Sequence, residues 1–194
     1  MPCKKDLPKA ILLDRDGVIN IDSPNYILTP EQWIPVAGSL QAIALLKQHA
    51  IKTGLVSNQS ALGRKTIHPD VFQAIHDKMI QAITDFGGRL DHVAYCPHHP
   101  DDACLCRKPL AGMIESSLAA LGLSNEPQSV LMIGDSLRDV QAAVAGGITP
   151  ILVQSGYGDA DAIFKKSQEI YPDIQTFPTL LHAVTAILGQ DECL

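Results

Sequence analysis

Short unbroken apolar runs alternate along this chain with segments whose apolar residues recur at helical spacing. Residues 10–14 (Ala-Ile-Leu-Leu-Asp) form an apolar burst that ends in acid, and 53–57, 90–95, 129–134 and 149–153 repeat the type. Bursts this short, bounded by polar or turn residues, predict buried strands. Between them, Leu40, Ile43, Ala44 and Leu46 make a stripe that predicts a helix over 37–49. Val71, Phe72, Ile75, Met79, Ile83 and Phe86 do the same over 69–86, opened by Pro69 and closed by Gly87-Gly88. Further helices are expected over 110–121, 137–145 and 180–188.

Strand then helix, repeated, predicts an α/β fold: crossover units around a parallel sheet covered on both faces. Double coverage also accounts for strands that are apolar throughout rather than alternating. Several runs end in, or just before, a residue with chemistry: Asp14, Ser57, Cys96 and Asp135. Open α/β sheets bind ligands outside the carboxyl ends of their strands, so these residues predict one functional rim. The Pro-rich stretch 22–35 is longer than a minimal loop and is expected to cover part of it.

Composition narrows the class. The 194 residues correspond to one domain, 1–194. Hydrophobic residues make up 46%, enough for a globular core. The net charge of −6 argues against a nucleic-acid partner, whose phosphates require a basic footprint. No apolar run approaches the roughly 18 residues of a membrane span. Only residues 10–13 are apolar before Asp14 interrupts, so no export signal is expected and the cytoplasm is the expected compartment. A monomer without nucleic-acid or membrane partners follows as the expectation. In that compartment the five cysteines are reduced thiols or metal ligands rather than disulfides.

The strongest chemical signal is Asp14-Arg15-Asp16-Gly17. Two carboxylates two residues apart at a strand end lie on one side of an extended chain, and Gly17 lets the backbone turn away. Such a pair can divide labour between a nucleophile and a general acid. After the second strand, Ser57-Asn58-Gln59-Ser60 offers hydroxyl and amide donors for a phosphoryl oxygen. Arg107-Lys108-Pro109 precedes a helix and offers cations, Arg107 for a bidentate grip and Lys108 as a point charge. Gly134-Asp135-Ser136-Leu137-Arg138-Asp139 ends the fourth strand in acid, and Asp14 with Asp135 suits a hard cation such as Mg²⁺.

A second signal is Cys96-Pro97-His98-His99-Pro100-Asp101-Asp102-Ala103-Cys104-Leu105-Cys106. Three of five cysteines fall in eleven residues, where even scatter gives about 0.3, so the cluster asks for a reason. Three thiolates and an imidazole suit a closed, structural Zn²⁺ site. The candidate ligands are Cys96, His98, Cys104 and Cys106, with His99 as the alternative imidazole. The loop 96–106 feeds directly into Arg107 and Lys108, so zinc is expected to hold those cations in place.

Together the four phosphate-handling motifs resemble those of the haloacid dehalogenase superfamily of phosphatases. The zinc loop followed by Arg-Lys-Pro is similar to the branch that contains heptose bisphosphate and histidinol-phosphate phosphatases. Ile19-Asn20-Ile21-Asp22, Asn25-Tyr26-Ile27, Trp33-Ile34-Pro35, Asn58-Gln59-Ser60 and Gly63-Arg64 resemble the heptose side of that branch. The resemblance implies a Rossmann-like three-layer sandwich with a mainly parallel sheet and no large cap domain. It implies an aspartyl-phosphate on Asp14, proton transfer by Asp16, and a phosphoryl group held by Ser57 and Lys108. It implies Mg²⁺ on Asp14, the Asp16 backbone carbonyl and Asp135.

For a small sugar bisphosphate, the same resemblance implies contacts from Asp22, Ser23, Pro24, Asn25, Ser57, Asn58, Gln59, Ser60, Arg64, Arg107 and Ser136, with Arg107 reading the second phosphate. The implied reaction removes the C7 phosphate of a heptose 1,7-bisphosphate on the way to lipopolysaccharide core. Histidinol-phosphate hydrolysis is the alternative within the branch, and a zinc-stabilised binding module the alternative outside it. Ser57 stands where the branch often has Thr, and Ser136 where it often has Lys. Trp33 and Tyr26 read as loop packing, and Cys3 and Cys193 as incidental.

Overall fold

The computed structural model describes residues 7–189, so Cys3 and Cys193 lie outside the described residues. Six strands form one wholly parallel sheet: β1 (Ala10–Leu13), β2 (Lys52–Asn58), β3 (His92–Cys96), β4 (Val130–Gly134), β5 (Thr149–Val153) and β6 (Gln175–Phe177). Their order is β3-β2-β1-β4-β5-β6. The chain leaves β1 in one direction to build β2 and β3 and in the other to build β4, β5 and β6. The tips of β1 and β4 therefore flank the switch point where such sheets bind ligands. Leu13 pairs with Ile133, and the Asp14 N–H donates to the Ile133 carbonyl at 3.0 Å, which sets Asp14 beside the end of β4.

Helices cover both faces. They are α1 (Ser39–Gln48), α2 (Ser60–Gly63), α3 (Pro69–Asp85), α4 (Gly112–Ala120), α5 (Leu137–Ala145), α6 (Ala160–Ile170) and α7 (Leu180–Ile187). Side chains alternate across β1: Ile11 and Leu13 pack with Ile43, Met79 and Val184 of α1, α3 and α7. Ala10 and Leu12 pack with Ile114, Leu118 and Ala142 of α4 and α5 on the other face. Every residue of β1 is buried, as an apolar run of period one requires in a three-layer fold. No helix among the described residues is long and apolar enough to cross a membrane.

The predicted strands and helices are present with ends shifted by one or two residues. The 110–121 helix starts at Gly112, and the loop before it crosses so closely that a Cβ there would lie 2.4 Å from the Leu105 carbonyl oxygen. Two elements gave no clear signal. Strand β6 has three residues, none buried, and α6 fully buries only Ser167, so neither carries an apolar run.

Stretch 22–35 lies on the carboxyl rim and contains a short 3-10 helix, Pro30–Gln32. It is anchored from below. Trp33 is buried, its indole N–H donates to Asn20 Oδ1 at 3.1 Å, and Lys78 of α3 donates to the Pro30 and Trp33 carbonyls.

Candidate active site

The strand tips open into one cavity of about 750 Å³. Asp14, Asp16, Ser57, Lys108 and Asp135 line its floor, and Arg64, Arg107 and Ser136 its walls. The rim stretch contributes Asp22, Ser23 and Pro24, and α2 with the end of β2 contributes Asn58 and Ser60. Two expected contacts sit elsewhere. Asn25 is exposed outside the lining, and Tyr26, at φ 65°, lines the cavity in its place rather than packing the loop. Gln59 is buried behind the floor and donates to Asp16 Oδ2 at 2.9 Å and to Ser57 Oγ at 3.1 Å. Arg138 and Tyr157 also line the cavity and were not singled out by the sequence. Arg138 reaches it because α5 begins at the β4 tip; Tyr157 lies in the β5–α6 connection, which carries no motif.

Lys108 is the electrostatic centre of the floor. Its ammonium donates to the Val56 carbonyl at 2.8 Å and contacts Asp14 Oδ2 at 3.1 Å and Asp139 Oδ1 at 2.6 Å, with the side chain 2% exposed. Burial works against its charge, but Asp139 and Asp14 outweigh burial and hold the group protonated. Asp139 spends its other oxygen on the Ser136 N–H and hydroxyl, at 3.0 and 2.6 Å, which caps α5. Asp139 therefore supports the floor and does not face substrate.

Asp14 is held at both oxygens, by the Arg15 N–H at 2.6 Å and by Lys108. Burial, reinforced by Asp139 and Asp16, raises its carboxyl above the ordinary range against the pull of Lys108. Asp16 goes the other way. Burial disfavours its charge, yet the Arg15 guanidinium and donors from Arg15, Asn20 and Gln59 hold it below the ordinary range. The two carboxylates two residues apart are thus pushed apart in acidity by their surroundings, with Asp16 the more acidic while neither magnesium nor phosphate lies beside them.

Asp135 has no cationic partner among the described residues. Burial first, then Asp139 and Asp14, push it up to about 9. It is pinned between two backbones: a Cβ at Gly17 would lie 2.4 Å from its Oδ2, and one at Gly156 only 1.9 Å. Carboxylate oxygens of Asp14, Asp135 and Asp139 lie within 4.8 Å of one another. Three carboxylates share one lysine, so the floor is short of positive charge. The all-oxygen donor set and that shortfall fit Mg²⁺, with Asp14 and Asp135 as the carboxylates free to hold it.

The cysteine–histidine loop converges as the spacing suggested. Cys96 Sγ lies 3.6 Å from Cys104 Sγ and 3.6 Å from His98 Nδ1; His98 Nδ1 lies 3.2 Å from Cys106 Sγ, and Cys104 and Cys106 sulfurs are 3.6 Å apart. A tetrahedral zinc with bonds of about 2.3 Å sets its sulfurs about 3.8 Å apart, so the four ligands could hold one. His99 is not among them; its Nδ1 accepts from the Asp101 N–H instead. The loop is pressed against Gly63, where a Cβ would meet the His99 nitrogen at 2.4 Å, one residue from Arg64.

Residues 105–181 match the HAD-hydrolase-like family. A D-glycero-beta-D-manno-heptose-1,7-bisphosphate 7-phosphatase of Bordetella bronchiseptica is 47% identical over 150 residues, 77% of this chain and 83% of the relative. One from Neisseria meningitidis is 38% identical over 89% of this chain and 91% of its own. The crystal structure of D,D-heptose 1,7-bisphosphate phosphatase from B. bronchiseptica, complexed with magnesium and phosphate, superposes with a TM-score of 0.86 at 40% identity over 94% of this chain and 99% of that one. The chain belongs to the heptose-bisphosphate phosphatase family of the haloacid dehalogenase superfamily. A Burkholderia thailandensis member superposes with a TM-score of 0.69 at 28% identity over 93% of this chain and 99% of that one. The wholly parallel sheet, the zinc-type loop and the absence of a large cap among the described residues agree with that membership.

Proposed function

We propose that this protein is a magnesium-dependent phosphatase that removes the C7 phosphate of D-glycero-β-D-manno-heptose 1,7-bisphosphate, in the bacterial supply of activated heptose for lipopolysaccharide core. One observation carries the choice of substrate. Arg64, Arg107 and Arg138 line the cavity that holds Asp14, and none has a carboxylate partner among the described residues. Arg107 also has a buried guanidinium nitrogen with no protein partner. Lys108 is already matched by Asp14 and Asp139, so these guanidiniums are in excess of what one phosphoryl group needs. A second phosphate satisfies them. Histidinol phosphate would bring a protonated amine instead.

Asp14 attacks phosphorus with one carboxylate oxygen, and the bond from phosphorus to the sugar oxygen breaks. Asp16 takes up a proton as the phosphate anion enters beside it, and gives that proton to the departing oxygen. It then takes a proton from the water that attacks the aspartyl-phosphate, and the bond from phosphorus to Asp14 breaks to release inorganic phosphate. Ser57 and Lys108 hold the transferring group; the Ser57 hydroxyl accepts from Gln59 and hydrogen-bonds Asp14, which sets it beside the phosphoryl oxygens. Magnesium, held by Asp14, Asp135 and the Asp16 carbonyl, supplies positive charge against the phosphoryl oxygens. In phosphoryl transfer, positioning and charge neutralisation are most of the catalysis, and this set provides both. We read residues 1–194 as one domain acting as a cytoplasmic monomer on this small substrate, without nucleic acid or membrane; the metal-type cysteine cluster suits a reducing compartment and the acidic net charge argues against nucleic acid.

Side-by-side kinetics on the heptose bisphosphate and on histidinol phosphate test the assignment, with ³¹P NMR to show which ester is cleaved. The bisphosphate is expected to have the higher kcat/KM and to yield the 1-phosphate. A higher value for histidinol phosphate, or release of the C1 phosphate, overturns it.

A further inference from the structure

We propose that Arg15 is a positioning residue for proton transfer: its guanidinium fixes the orientation of the Asp16 carboxylate. The inference rests on the reading of Asp16 as acid and base. Arg15 is 2% exposed, beside the nucleophile, yet it touches no substrate position; its side chain folds back onto its own neighbour. Nε meets Asp16 Oδ1 at 3.1 Å and Nη2 meets Oδ2 at 3.0 Å, a two-pronged grip that sets orientation as well as distance.

The other two donors complete the frame. Asn20 Nδ2 reaches Oδ1 at 2.9 Å and Gln59 Nε2 reaches Oδ2 at 2.9 Å, so each oxygen takes two bonds and all the carboxylate's acceptor sites are used. Asn20 is itself held, accepting from the Trp33 indole and donating to the Ile21 carbonyl. Gln59 differs, because the same Nε2 also reaches Ser57 Oγ. It can release Asp16 without losing its last partner. Oδ2 is therefore the oxygen that can exchange a donor for a proton while Arg15 holds the group in place.

The guanidinium is clamped from behind. It lies over the Phe72 ring, 5.8 Å from the centroid, and Phe72 meets Tyr95 edge-on at 5.0 Å. The Tyr95 hydroxyl is in turn tied to His76 Nδ1 at 3.0 Å. Helix α3 and strand β3 thus build an aromatic wall against which the Arg15 guanidinium is held. The guanidinium is thereby fixed on three sides, by Asp16, by the Phe72 ring and by the neighbouring Tyr95 hydroxyl.

Arg15→Met and Arg15→Lys test this, with p-nitrophenyl phosphate as the probe. Its nitrophenolate leaves without a proton, so single-turnover release with enzyme in excess needs Asp14 but not Asp16, whereas steady-state turnover needs both. Arg15→Met leaves the Asp16 carboxylate without its cation, so it is expected to melt below the parent temperature while keeping single-turnover release within about threefold. Its steady-state rate is expected to fall about 100-fold, the scale of a general acid–base contribution. Arg15→Lys, which keeps the charge and loses the two-pronged grip, is expected to show the same split.

Parent-like turnover in Arg15→Met, full rescue by lysine, or equal loss of both phases in a folded variant overturns the proposal. If Arg15→Met does not fold, Phe72→Leu is read instead: the same split at about fivefold supports it and parent-like turnover overturns it. The probe carries no sugar. A parent that ignores heptose bisphosphate therefore sinks the substrate assignment and leaves this comparison standing.

Discussion

Asn58 brackets the backbone of Lys108: its side-chain oxygen accepts the Lys108 N–H at 3.0 Å and its amide donates to the Lys108 carbonyl at 3.0 Å, across 50 positions of sequence. The end of β2 thereby seats the residue that neutralises the phosphoryl site. Asn58 also lines the cavity, so a residue expected only to touch substrate carries the floor as well. Asn58→Ala leaves two buried backbone groups without partners and is expected to cost roughly 2 kcal/mol. Its kcat is expected to fall at least tenfold as Lys108 loses register. Denaturant titration and steady-state kinetics check both, and parent-like values in each would show that the bracket is dispensable.

Asp14→Asn is expected to abolish turnover and leave the fold intact, because it removes one of three carboxylates crowded around Lys108. Circular dichroism and phosphate release measure the two sides. Activity above about 1% of the parent, in material free of deamidation, would exclude Asp14 as the nucleophile.

Gly156→Ala places a Cβ 1.9 Å from Asp135 Oδ2, so the carboxylate has to move. The magnesium concentration for half-maximal rate is expected to rise at least tenfold, with activity recovered at high magnesium. An unchanged magnesium titration would remove Asp135 from the metal site.

Zinc removal is expected to act through Arg107 and Lys108. The loop that could hold zinc ends one residue before them and has no apolar core of its own. A Cys104→Ser/Cys106→Ser protein is expected to purify without zinc, with kcat at least tenfold down and no rescue by magnesium. Stoichiometric zinc in that protein would mean that the ligand set is wrong.

Asp22 supplies a pH dependence. Burial, then Asp16 and Asp14, raise it from 3.8 to about 6. The fold thus favours its neutral form, so stability is lost as pH rises from about 4 to about 6 and the loss is constant above that. In magnesium-free buffer Asp22→Asn is expected to exceed the parent in melting temperature at pH 7.5 and to match it near pH 4. A gap that widens toward acid would reverse the sign and refute the assignment.

The sequence by itself determined the alternation of strands and helices, because a strand buried on both faces has to be an apolar run and a covering helix has to carry a stripe. It also determined the chemistry carried by short motifs, since Asp14 and Asp16, or Cys104 and Cys106, are brought together by local spacing alone. Tertiary structure decided what depends on contacts between distant residues. His98 rather than His99 joins the cysteines, because the loop turns His99 back onto the Asp101 N–H. Gln59 serves Asp16 from behind the floor, and Arg138 enters the cavity where α5 starts. Strand β6 and helix α6 exist by pairing and packing with β5 and α5, which supply the order their own half-exposed residues do not encode.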